Sequence, residues 1–115
     1  MTIRHIKNTA AFDQLDDRGP VGKPLSEPAC RLKGKSIELD GTQNLSTGIW
    51  ECSPGKFRRE VVRGEVMHIL AGECTFTPDD GETISISAGD TVFMSPNTNG
   101  VWDIKSTVRK VYTLL

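Results

Sequence analysis

From Lys35 onward, short strand-like runs recur at intervals of about eight to twelve residues, and no helical period interrupts them. The runs fall at residues 36–39, 45–52, 57–62, 66–70, 74–77, 83–87, 91–95, 101–104 and 107–114. Turn chemistry separates them: Asp40-Gly41, Pro54-Gly55, Arg63-Gly64, Asp79-Asp80-Gly81, Ala88-Gly89-Asp90 and Pro96-Asn97. Evenly spaced short strands with Gly-rich punctuation build a sandwich or a barrel rather than a βαβ fold. Residues 75–77 and 83–86 alternate polar with apolar around Asp79-Asp80-Gly81, which predicts a hairpin with one buried face.

The N-terminal part reads differently. Ala11, Phe12 and Leu15 sit at roughly helical spacing over residues 8–15, enough for about a turn or two. Pro20, Pro24 and Pro28 follow with Gly19 and Gly22 between them, a pattern that blocks helix. It fits an extended arm laid over the domain or over a partner subunit, and equally a disordered tail. The chain therefore divides into an arm, residues 1–34, and a barrel, residues 35–115.

At 115 residues there is enough chain for one core. A net charge of −1 without runs of like charge argues against nucleic-acid or anionic-membrane partners. No apolar stretch approaches the ~18 residues of a membrane span, and the first residues lack the apolar core of a signal peptide. Cys30, Cys52 and Cys74 are odd in number and lack CxxC spacing, which fits free thiols in a reducing cytoplasm.

The middle of the chain, residues 55–72, reads as a strand, a tight turn at Arg63-Gly64, and a second strand that begins with an acid, Glu65. Such a carboxylate either stays solvated at the strand end or points into a cavity. Glu65, followed after six residues by Gly72 and further on by Gly89-Asp90 and Pro96, resembles the cupin superfamily. Cupins are double-stranded β-helix (jelly-roll) barrels with two motifs, G-x5-H-x-H-x3,4-E-x6-G and G-x5-P-x-G-x2-H-x3-N. Two flanking segments resemble the small cupins grouped with ureidoglycine aminohydrolase. They run from Gly48-Ile49-Trp50 through Pro54-Gly55-Lys56-Phe57, and from Trp102 through Val108-Arg109-Lys110-Val111-Tyr112. The resemblance implies an all-β jelly-roll cupin barrel over about residues 36–115, carrying an extended N-terminal arm.

It also implies where a metal would be bound, and there the chain departs from the pattern. Arg58, Arg59, Glu60 and Val61 stand where the His-x-His pair should fall, and Gly100 stands at the later histidine position. Only Glu65 is kept. A divalent transition metal needs about three or four converging N/O donors, so no tightly held metal is expected. Were one bound, the family would suggest manganese, iron, nickel or zinc. His68 lies three residues from Glu65, on the opposite strand face unless a bulge intervenes, and fits an outward, hydrogen-bonded role better than a ligand's.

If Glu65 points inward, so do Met67 and Ile69. The histidine position at Gly100 likewise places Trp102 and Ile104 inside, with open space where the imidazole would be. Carboxylates among Met, Ile and Trp lose hydration, which raises their pKa and suits general acid/base work. Trp102 either stacks on a flat ligand or fills the core. Of Arg58 and Arg59 at most one enters the cavity, to bind an acidic substrate or to neutralise Glu65, and Lys56 adds charge nearby. Trp50 and Tyr112 read as packing residues.

These residues predict a small-molecule-binding cupin for a polar or anionic metabolite, with Glu65 as the acid/base candidate and Lys56, Arg58, Arg59, Met67 and Trp102 as binding candidates. The alternative is an aminohydrolase, isomerase or lyase acting on ureide-like or carboxylate substrates through Glu65, and a third reading is a non-catalytic sensing or structural module. The small-cupin resemblance further implies a homodimer, and the thiols place it in the cytoplasm.

Overall fold

The alternating runs form eight strands in the computed structural model, which describes residues 3–115. They are β1 (Asp16–Pro20), β2 (Arg31–Ile37), β3 (Ser46–Cys52), β4 (Gly55–Arg59), β5 (Glu65–Pro78), β6 (Ile84–Ser87), β7 (Thr91–Met94) and β8 (Gly100–Leu114). All pairings are antiparallel, and the sheet curls into a jelly-roll barrel. The weakly helical stretch near the N-terminus forms one 3-10 turn, Thr9–Ala11, which Arg109 holds by donating to the carbonyls of Thr9, Ala10 and Phe12.

Two long strands carry the architecture. The first half of β5 and the second half of β8 pair with each other, with β3 on one flank and β7 on the other. Their other halves pair again between β4 and β6, so β5 and β8 run through both walls of the barrel. Sequence reading divides each of these strands in two, at residues 71–73 and 105–106. In β5 the break is instead a bulge: the register shifts between Ile69 and Cys74, and Gly72 adopts φ +90° there. A Cβ at Gly72 would lie 2.2 Å from the Thr107 carbonyl oxygen, so glycine permits the close crossing of the two strands.

The Pro-rich segment is built onto this sheet. β1 pairs with β2, β2 pairs with β3, and Pro24 bridges to Phe57. Val21 and Cys30 are buried in the same core as Cys52, Ile69, Phe76 and Val108. The 75–77 and 83–86 runs pair as expected, with Phe76 and Ile86 buried and Ile84 half outside.

Inner and outer positions alternate along the strands. Glu65, Met67 and Ile69 face in, whereas His68 is exposed on the outer face, its Nδ1 2.7 Å from Thr91 Oγ1. The register with β7 is unbroken from Glu65 to His68, so no bulge turns His68 toward Glu65. Gly100, Trp102 and Ile104 also face in, but the open space expected beside Gly100 is absent. A Cβ there would lie 2.2 Å from the Thr77 carbonyl oxygen and 2.8 Å from the Phe76 ring. The phenyl ring of Phe76, packed 4.8 Å from Trp102, fills that part of the barrel.

Candidate functional site

Three strands bring charge to one point inside the barrel. Glu65 opens β5, Arg59 ends β4, and Lys110 lies in β8 directly across from Trp50 of β3. The Glu65 carboxylate accepts from Arg59 Nη2 at 3.0 Å through Oε1 and from Lys110 Nζ at 2.9 Å through Oε2. All three side chains are buried, with residue exposures of 5%, 5% and 7% for Glu65, Arg59 and Lys110. Arg59 also donates to the Thr98 carbonyl. Among the described residues no buried side-chain polar atom lacks a partner.

Aromatic rings complete the site. Lys110 Nζ lies 4.4 Å from the ring centroid of Trp50, 5.7 Å from that of Trp102 and 6.0 Å from that of Tyr112. Its ammonium also meets Met67 Sδ at 3.7 Å. A cavity of about 260 Å³ opens beside this cluster, with Trp50, Phe57, Trp102 and Tyr112 in its wall alongside Val61 and Leu114. The charged residues Arg59, Glu65 and Lys110 line the same cavity.

The electrostatics reverse one expectation from sequence. Burial does push the Glu65 carboxyl toward its neutral form, but the Lys110 ammonium and the Arg59 guanidinium outweigh it and hold the group below the ordinary carboxylate range. Glu65 is therefore not raised toward neutrality as a free acid/base. Burial pushes Lys110 down from the ordinary lysine range, the Glu65 carboxylate opposes that, and nearby Arg59 adds to it. Two cations against one anion leave one net positive charge in an apolar, aromatic cavity.

The other residues singled out from sequence divide cleanly. Trp102 lines the cavity, and Met67 lies fully buried beneath the ammonium. Of the two arginines, Arg59 enters. Arg58 turns out, where it pairs with Asp79 (Nη1 to Oδ1, 2.7 Å) and with Glu60. Lys56 is also outside, more than half exposed and 3.9 Å from Asp103. Sequence reading passes over Lys110 as a site residue and assigns Trp50 and Tyr112 to packing alone. The available signal is parity: Val108, Lys110 and Tyr112 alternate with Arg109 and Val111, so a charged residue shares the face of two apolar ones.

The thiols do not join the site. Cys30, Cys52 and Cys74 are buried and free, and burial raises all three, Cys74 to about 11.

This donor set does not suit a metal cation. Both oxygens of Glu65 face cationic partners, and among the described residues no group of three His, Cys, Asp or Glu side chains converges. Where a cupin would place imidazoles the chain has Arg58 and Glu60 or Arg59 and Val61, and then Gly100, packed against Phe76.

The profile of the EutQ-like cupin domain matches residues 39–112. The chain belongs to the EutQ-like cupin domain family. Among solved structures, this cupin superposes on a Pseudomonas syringae pv. tomato protein of unknown function with a TM-score of 0.79 at 22% identity, covering 90% of the chain and 45% of that protein. The chain thus spans less than half of that relative's length. It matches the EutQ protein of Clostridium difficile with a TM-score of 0.66 at 19% identity over 80% of this chain and 75% of that one. A DUF861 family protein from Thermotoga maritima is 31% identical over 58% of the chain and 76% of its own, with a TM-score of 0.57. No curated protein matches the sequence. Among the described residues, no helix of this EutQ-like cupin is long and apolar enough to cross a membrane.

Proposed function

We propose that this EutQ-like cupin binds a small anionic metabolite, without a tightly held metal, in the aromatic cavity beside Glu65. The observation that carries the reading is the uncompensated positive charge: Arg59 and Lys110 share the single carboxylate of Glu65 among four aromatic rings. A carboxylate ligand would supply the missing negative charge, meeting the guanidinium fork while its body packs on Trp102 or Trp50. The cavity of about 260 Å³ falls just below the range of ~300–1,000 Å³ typical of drug-sized ligands, which favours a molecule of few heavy atoms.

In this role Glu65, ionised at rest, anchors the two cations. Ureide carboxylates come first among ligand classes, because the two segments resembling ureidoglycine aminohydrolase-type cupins contribute Trp50, Phe57, Trp102, Lys110 and Tyr112 to the wall. The same resemblance supports a homodimer, which light scattering of the purified protein tests, and the three free thiols fit a reducing cytoplasm.

The test of the binding reading is a thermal-shift screen that compares small monocarboxylates and ureide carboxylates with their neutral amides. A ligand that binds only the folded protein raises Tm, by about 2.7 kcal/mol of stabilisation at a concentration of 100 Kd. Stabilisation by acids and not by amides supports the reading. Equal effects from acids and amides, or none from either, would remove it.

A further inference from the structure

One of the two cations in the cavity wall, Lys110, is a primary amine. Lys110 is buried where it lines the cavity, whereas Lys23, Lys56 and Lys105 are each more than half exposed in surface ion pairs. Three rings lie within 6.0 Å of its nitrogen, a carboxylate stands 2.9 Å away, and Arg59 shares that carboxylate. An amine enclosed by apolar walls and near a second cation sheds its proton more readily than one in water, and a neighbouring carboxylate can take it. Arg59 donates to Thr98 and Glu65 through its two terminal nitrogens, leaving further N–H groups of its fork for a ligand carboxylate.

We propose that Lys110 forms a reversible imine with the carbonyl of a small 2-oxo acid whose carboxylate is held by Arg59. This rests on the anion-binding reading and adds 2-oxo acids to the carboxylates proposed for the same cavity. The ammonium of Lys110 first passes a proton to Glu65 Oε2, and the freed lone pair forms a bond to the carbonyl carbon. The carbonyl oxygen takes the proton from Glu65 and becomes a hydroxyl. Glu65 then removes a proton from the nitrogen and delivers it to that hydroxyl, the carbon–oxygen bond breaks, and water leaves as the carbon–nitrogen double bond forms. One ammonium and one carbonyl give one protonated imine and one water. Glu65 returns to its ionised form, and nothing is oxidised or reduced.

The test treats the full chain with pyruvate and sodium cyanoborohydride, which reduces a protonated imine to a stable amine, followed by intact mass and peptide mapping. Lactate serves as the carbonyl-free control and propanal as the carboxylate-free one. The expected result is one adduct, mapped to Lys110, formed on the order of tenfold or more faster than at any other lysine. Excess lactate suppresses it, and Lys110→Arg, with circular dichroism confirming its fold, lacks it. Adducts spread evenly over Lys23, Lys56 and Lys105, with Lys110 unmodified, overturn the proposal on the unsubstituted protein alone. If lactate and pyruvate raise Tm equally and Lys110 stays unmodified, the imine fails while anion binding stands. Modification of Lys110 by propanal but not by pyruvate overturns the 2-oxo acid assignment together with the anion reading.

Discussion

Lys110 Nζ donates to Glu65 Oε2 at 2.9 Å inside the barrel, although the two residues are 45 positions apart in sequence. The pair joins the start of β5 to the middle of β8 at the point where Arg59 arrives from β4. Removing one member of a buried ion cluster leaves the others without compensation, and that asymmetry governs the mutational behaviour of the site.

Glu65→Gln should accordingly destabilise the protein by about 3–5 kcal/mol, because two buried cations lose their only shared carboxylate. Adding Lys110→Met to that variant should recover part of the loss, since the second cation goes with it. Urea denaturation of the two single variants and the double variant measures the coupling. Simple additivity would mean that the two side chains do not interact energetically.

The acid side of the stability profile should depend on the same carboxylate. The Glu65 pKa is lower in the folded chain than the ordinary value of 4.5, so its stabilising contribution is complete above about pH 4.5 and is lost as pH falls through the folded value. Lys110 acts in the opposite sense. Its folded value lies below the ordinary 10.5, so its charged form penalises folding below that folded value and the penalty fades as pH rises between the two values. Urea midpoints measured from pH 7 to pH 3 should fall more steeply for the natural protein than for Glu65→Gln.

How much of this was legible in the chain follows from the range of each interaction. The strand runs, the turn signals and the inward face of Glu65, Met67 and Ile69 are local, and alternation alone places them. Alternation also says that Arg58 and Arg59 part ways, but the choice of Arg59 depends on the pairing of β4 with β8, which sets Arg59 opposite Gly100 and Phe57 opposite Trp102. No local pattern encodes that register. The ion cluster is hidden for the same reason: the sheet, not the sequence distance, brings Lys110 to Glu65. The bulge at Gly72 reads as a strand break because two strand halves with different parity look like two strands.

Gly100 shows why a familiar motif position misleads when its neighbour changes. Its inner side is occupied by Phe76 and by the Thr77 carbonyl. Gly100→Ala should lower stability by at least the ~1–3 kcal/mol typical of overpacking, since backbone rather than a flexible side chain blocks the new Cβ. Gly22→Ala, where a Cβ meets nothing within 4 Å, is the matched control and should change Tm little. Thermal melts of the two variants decide it.

Both tryptophans of the chain line the cavity, so intrinsic fluorescence reports the site with little background from elsewhere. A bound 2-oxo or ureide carboxylate should alter the emission of the natural protein saturably. Trp102→Phe should reduce the signal while retaining an aromatic wall. A linear, unsaturable response to acid would indicate collisional quenching and no occupied site.

The buried Glu65 carboxyl is held ionised at rest by its two cationic partners, and a carbon-13 titration of that carboxyl by NMR reads this directly. The cluster with Arg59 and Lys110 predicts a midpoint below 4.5, with the carboxylate fully charged at neutral pH. A midpoint at pH 6–7, the range to which enzymes tune a catalytic glutamate, would contradict the account.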